Sequence, residues 1–120
     1  MDASRKKELI AQYKLTKKPM GLFIIRCKVN GKCYIEGTQD LRGRINGTKA
    51  RLAGGFHPNR ELQKEWQDFG SENFTLEILD YFEYDKDETK TDYKDDLDLL
   101  KMIWEERLSK EDMRFYKKRL

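Results

Sequence analysis

The stretch GLFIIRCKVNGKCYIEGTQDLRGR, residues 21–44, sets a phenol, a carboxylate and a guanidinium at short intervals as Tyr34, Glu36 and Arg44. An arginine offers a permanent charge and a planar fork of donors that matches a phosphate. A carboxylate suits a hard divalent cation. Further cations follow at Arg42, Lys49, Arg51 and Arg60, either as a track for a phosphate backbone or as solvated helix faces. Charge is unevenly spread along the chain. Residues 1–70 hold 15 Lys and Arg against 7 Asp and Glu, whereas residues 71–120 hold 10 against 15. A basic half fits a polyanionic partner.

The elements that place these groups begin with a hairpin over residues 21–36. Asn30-Gly31 is a strong signal for a two-residue turn, because both residues accept positive φ. That turn pairs Val29 with Lys32, Lys28 with Cys33, and Cys27 with Tyr34. Alternation along each strand then puts Phe23, Ile25, Cys27, Tyr34 and Glu36 on one face. It also turns the thiols of Cys27 and Cys33 to opposite faces, which disfavours a disulfide. Two cysteines are too few for a zinc site.

A helix is expected from about Asp40 to Leu52, with Leu41, Ile45, Thr48 and Leu52 along one stripe and Gly54-Gly55 as its stop. His57, Pro58 and Asn59 introduce a second helix, RELQKEWQDF, whose Leu62, Trp66 and Phe69 share a face. Asn59 there serves as a helix cap or a substrate contact. The segment NFTLEILDYF is apolar and β-prone, as suits a third strand. An acidic loop spans residues 83–90. A long helix follows from about Thr91, with a new one starting where Ser109 and Asp112 have capping spacing. Residues 3–16 have helical character, with Leu9, Ile10 and Tyr13 on one side. These elements predict a single α/β (α+β) domain with a small three-stranded, mostly antiparallel sheet flanked by helices. Residues 1–19 form an N-terminal extension, 21–82 the core, and 83–120 the acidic loop and C-terminal helices.

At 120 residues the chain has the length of one domain. No apolar run approaches the roughly 18 residues that span a bilayer, and the basic N-terminus lacks the apolar centre of a signal peptide. A cytoplasmic location with no membrane partner is the expectation.

Over Gly21 to Phe82 the chain resembles the GIY-YIG nuclease family. GLF at Gly21–Phe23 and YIE at Tyr34–Glu36 stand where the two name-giving triplets stand, and Arg44 has the family's spacing from Tyr34. GGFHPNRELQKEWQDFGSENFTLEIL is similar to the phage and intron-type subgroup, with its His-x-Asn, Leu-Gln and Trp pattern. The resemblance implies hydrolysis of a DNA phosphodiester assisted by Mg²⁺ or Mn²⁺. Tyr34 and His57 would stand in the catalytic region and Arg44 on the phosphate. With DNA as partner, Arg42, Lys49, Arg51 and Arg60 are the candidates to track its phosphates, the alternative being solvated helix faces, and Asn59 is a candidate contact if it does not serve as a cap.

Three positions depart from the family pattern. Phe23 replaces a tyrosine, Glu36 replaces a glycine, and Lys101 stands three residues before Trp104 where a metal-binding glutamate is expected. Glu36 or Glu105 would have to take over the metal, or Lys101 would contact phosphate as a point charge where the metal sat. Two readings stand side by side. One is a metal-dependent endonuclease of weakened activity. The other is a catalytically inactive module, without cofactor, that binds nucleic acid or, through its acidic segment, a protein partner.

Overall fold

Strand β1 (Met20–Cys27) is buried along its whole length except at Arg26. In the computed structural model, which describes residues 17–116, it pairs antiparallel with β2 (Lys32–Thr38) on one side and β3 (Phe74–Phe82) on the other. Burial on both faces explains why GLFII is a continuous apolar run rather than an alternating one. Its odd-numbered residues Phe23, Ile25 and Cys27 pack with Leu41 and Leu52 of helix α1 (Leu41–Gly54) and Leu62 of α2 (Arg60–Phe69). Ile45, Trp66 and Phe69 close over the same cluster. Leu22 and Ile24 face the other way, joining Cys33 and Ile35 against Leu108 of helix α3 (Lys94–Ser109), with Leu100 and Trp104 beside them. The result is three layers: two helices, a sheet, one helix.

The sheet has four strands, not three. β4 (Arg114–Phe115) runs parallel to β2 on its outer edge, giving the order β3-β1-β2-β4. The fourth strand replaces the helix expected after Ser109. Asp112 adopts a left-handed conformation at φ 63°, the Met113 amide donates to Leu108 O and the Asp112 amide to Ser109 O. Those two bonds are a helix-terminating turn. The Ser109–Asp112 spacing therefore closes one helix instead of opening another. The helix expected over residues 3–16 and the chain after 116 lie outside the described residues.

The hairpin register also differs from the expected one. Arg26 stands opposite Cys33, Ile25 opposite Tyr34 and Phe23 opposite Glu36, a slip of two residues. A type I′ turn needs positive φ at both central residues, and here only Gly31 has it, at 74°. Asn30 instead uses its side chain: Oδ1 accepts from the Lys32 amide at 3.0 Å, and Nδ2 donates to Glu65 at 2.7 Å. The loop lengthens to Lys28–Gly31. An even slip leaves every side chain on its predicted face. Cys27 and Cys33 accordingly sit in opposite cores, both free.

Gly21 marks the closest approach of β1 to β3. A Cβ there would lie 2.1 Å from the Asp80 carbonyl oxygen and 2.8 Å from the Tyr81 Cα, both backbone atoms. Gly47, inside α1, has open space around it, with nothing within 4 Å of where a Cβ would sit. Gly21→Ala should therefore lose about 3 kcal/mol of stability through forced strand separation. Gly47→Ala should gain about 0.5–1 kcal/mol from helix propensity. Urea denaturation of the two variants checks both signs.

Candidate functional site

Tyr34 and Glu36 are two residues apart on β2 and so emerge on the same face, while Asp40 starts the helix that carries Arg44 back toward them. Asp40 Oδ1 accepts from the Gly43 amide at 3.1 Å, fixing the first turn of α1. The three side chains meet in one cluster. The Tyr34 hydroxyl donates to Glu36 Oε1 at 2.7 Å, and Arg44 Nε donates to Glu36 Oε2 in an ion pair. The Glu36 side chain is only 15% exposed, so this carboxylate is held inside the site and not at its rim.

Each ionisation follows from that geometry. Burial, and then the bond to Glu36, pushes the Tyr34 phenol well above its ordinary range, so the hydroxyl keeps its proton. The Glu36 carboxylate raises Arg44 further, outweighing the desolvation that opposes it. A phenolate at Tyr34 is thus disfavoured by the carboxylate that receives its hydrogen bond.

His57 packs edge-on against Tyr34, with ring centroids 5.3 Å apart. Its Nδ1 accepts from the Asn59 amide at 3.0 Å, which leaves the ring proton on Nε2. Burial lowers its affinity for a second proton, with Glu36 partly opposing. Gln63 secures this arrangement: its Oε1 accepts from the His57 amide at 2.8 Å and its Nε2 donates to Leu52 O at 2.9 Å. Gln63 is buried; sequence reasoning meets it only as the Gln of the Leu-Gln pattern and gives it no role. Asn59 caps α2 by accepting from the Leu62 amide at 3.0 Å.

The basic residues do not form one track. At about 100° per residue, Arg44 and Arg51 fall on one flank of α1, whereas Arg42 and Lys49 fall on the other. Arg51 faces the site and acts electrostatically on both Tyr34 and His57. Arg42 instead borders Lys17 and Lys18, and Lys49 borders Trp66 and Phe74. Arg60 and Lys64 line a recess of about 380 Å³ beside His57 and Phe56. The acids of α2 point the opposite way, toward Lys32: Glu61 lies 2.8 Å and Glu65 3.4 Å from its ammonium. The acidic segment is partly satisfied locally, by Lys90–Asp96 at 2.8 Å and Lys94–Asp98 at 2.7 Å.

Lys101 and Glu105 come round from α3 to the open edge of β2. With Tyr34, Cys33, Phe115 and Tyr116 they line a recess of about 280 Å³. Burial pushes the Cys33 thiol up to about 11, so it is no thiolate donor at neutral pH.

Two solved structures share this arrangement of strands and helices, the catalytic domain of the homing endonuclease I-TevI and a mutant of that domain. Both superpose at a TM-score of 0.63, with 21% and 22% sequence identity, over 82% of this chain and 99% and 92% of theirs. The chain has the GIY-YIG nuclease fold. No protein-family model and no curated protein matches it at a significant level. Within the GIY-YIG fold, the departures found in the sequence acquire physical meaning. Phe23 is wholly buried in the core beneath the site. Glu36 engages both the phenol of the hairpin and the guanidinium of α1. Among the described residues no three His, Cys, Asp or Glu side chains come together as a ligand set. Both Glu36 oxygens are taken by Tyr34 and Arg44, and Glu105 shares its recess with the Lys101 ammonium.

His57 is the chain's one histidine, so its titration can be read from folding stability. Unfolded, it takes up a proton near 6.5; folded, burial holds that affinity lower. The unfolded state therefore binds the extra proton first, and stability falls as the pH drops below 6.5. Urea midpoints recorded between about pH 7.5 and pH 5.5 should show that fall. His57→Asn, which keeps an acceptor for the Asn59 amide, should flatten it.

Proposed function

We propose that this chain binds DNA through its phosphates and has little or no hydrolytic capacity, a nuclease fold turned to recognition. The recess between β2 and α3 carries this reading. A metal-assisted hydrolase needs a carboxylate to hold a cation against the scissile phosphate; the family resemblance aligns Lys101 with that carboxylate, a cation does not coordinate another cation, and the Glu105 carboxylate in the same recess has the Lys101 ammonium beside it. Tyr34 keeps its proton, so it serves as a donor to a phosphate oxygen and not as a base. Arg51 adds positive charge beside it, and Arg60 and Lys64 add more in the recess next to His57. The likeness to the catalytic domain of a homing endonuclease supports DNA as the polyanion, and the basic half of the sequence agrees with it.

Supercoiled plasmid incubated with the protein and Mg²⁺ or Mn²⁺ should stay intact. Gel-shift affinity should fall steeply with salt, with a log–log slope of about −3 for three or four phosphate contacts on a duplex. Arg51→Ala combined with Arg60→Ala should weaken binding across all sequences and make the slope shallower by about 2. Nicking by the wild type that both Tyr34→Phe and Arg44→Ala abolish would overturn this reading and restore a hydrolase.

A further inference from the structure

Arg44 and Tyr34 are the donors best placed to meet a phosphate oxygen, and a carboxylate from their own neighbourhood already engages both. Any nucleic acid that uses them must displace Glu36. An internal phosphodiester brings one negative charge, the same as the carboxylate it would replace, so the exchange gains no charge. Glu36 also competes from a fixed position two residues along the strand, at high effective concentration. A terminal phosphate monoester is different. Near pH 7 it carries about −1.5 to −2 charge and three strong acceptor oxygens. It can take the Arg44 fork and the Tyr34 hydroxyl together, with the His57 ring packed edge-on against that phenol. Beside His57, Phe56 is 65% exposed on a recess that also holds Arg60 and Lys64. An exposed aromatic face next to cations is the pairing that stacks an unpaired base while holding its backbone.

We infer that the site selects strand ends bearing a terminal phosphate, and that Glu36 is the residue setting this selectivity by excluding internal phosphodiesters from Arg44. The inference rests on the DNA-binding reading above and specifies its ligand class. A 5′-phosphate and a 3′-phosphate present the same chemistry to these donors, so the experiment separates them.

Three labelled single-stranded oligonucleotides of one sequence serve as probes: 5′-phosphorylated, 3′-phosphorylated and unphosphorylated. Fluorescence anisotropy should show the wild type binding one phosphorylated form about tenfold tighter than the unphosphorylated form, the gain of one charge-assisted contact. Glu36→Gln keeps an acceptor for Tyr34 and Arg44 but removes the competing charge. It should bind the unphosphorylated probe more tightly and shrink the preference toward unity. Arg44→Gln should lose the preference from the other side, by weakening only the phosphorylated probe. Equal wild-type affinity for all three probes, with the salt dependence intact, sinks the selectivity and leaves the DNA-binding reading standing. A preference that survives Glu36→Gln unchanged removes Glu36 from the role. If no probe binds even at low salt, the strand-end selectivity falls; if the duplex gel shift is absent as well, the DNA-binding reading itself falls.

Discussion

Strand β1 lies between two hydrogen-bonded neighbours and two helical layers, and this double burial constrains everything around it. One face of the strand must satisfy α1 and α2, the other α3, so the side chains of β2 inherit the same strict alternation. Tyr34 and Glu36 share a face with Phe23 because the sheet leaves no alternative. Gly21 lets β3 come close enough to complete the layer on the far side. The site is a by-product of that packing: whatever projects from alternate positions of β2 is delivered to the mouth between the sheet and α1.

What occupies that mouth is a balance between one anion and its donors. Glu36 satisfies a phenol and a guanidinium at once, and in doing so it neutralises the charge and holds the proton that hydrolysis would draw on. The same contact makes chemical sense of the other departures. With Lys101 in the neighbouring recess, a free carboxylate would meet an ammonium sooner than a metal. Phe23, beneath, removes a polar group that would otherwise need a partner in the core. On the reading proposed above these three positions agree with one another, and Arg51, Arg60 and Lys64 keep their positive charge beside His57.

Much of this is legible in the primary structure, and the differences are instructive. The face shared by Phe23, Tyr34 and Glu36 follows from the Asn30-Gly31 signal even though the turn is not type I′, because the register slips by an even number. Asn30 departs from its expected conformation because its amide serves two partners, Lys32 and Glu65, one of them 35 residues away. The Ser109–Asp112 spacing is symmetrical between starting a helix and ending one, and only the parallel docking of Phe115 beside Cys33 decides it. Grouping Arg42 and Lys49 with Arg44 and Arg51 ignores rotation about α1. Glu36 falls on its expected face but not in its expected role, since a list of positions does not reveal that two donors converge on one carboxylate. Gln63 is visible in the Leu-Gln pattern but its role is not, because its bonds run to backbone atoms of His57 and Leu52.

Helix α2 illustrates how little a net count says about a local field. Along its sequence, positive and negative side chains nearly cancel. Folded, Glu61 and Glu65 pair with Lys32, and Arg60 and Lys64 look out beside His57. The helix thus carries a moment across its width, perpendicular to the familiar one along its axis. The hairpin thereby shapes the potential across the helix: Lys32, on a strand edge, engages two carboxylates that would otherwise offset Arg60 and Lys64.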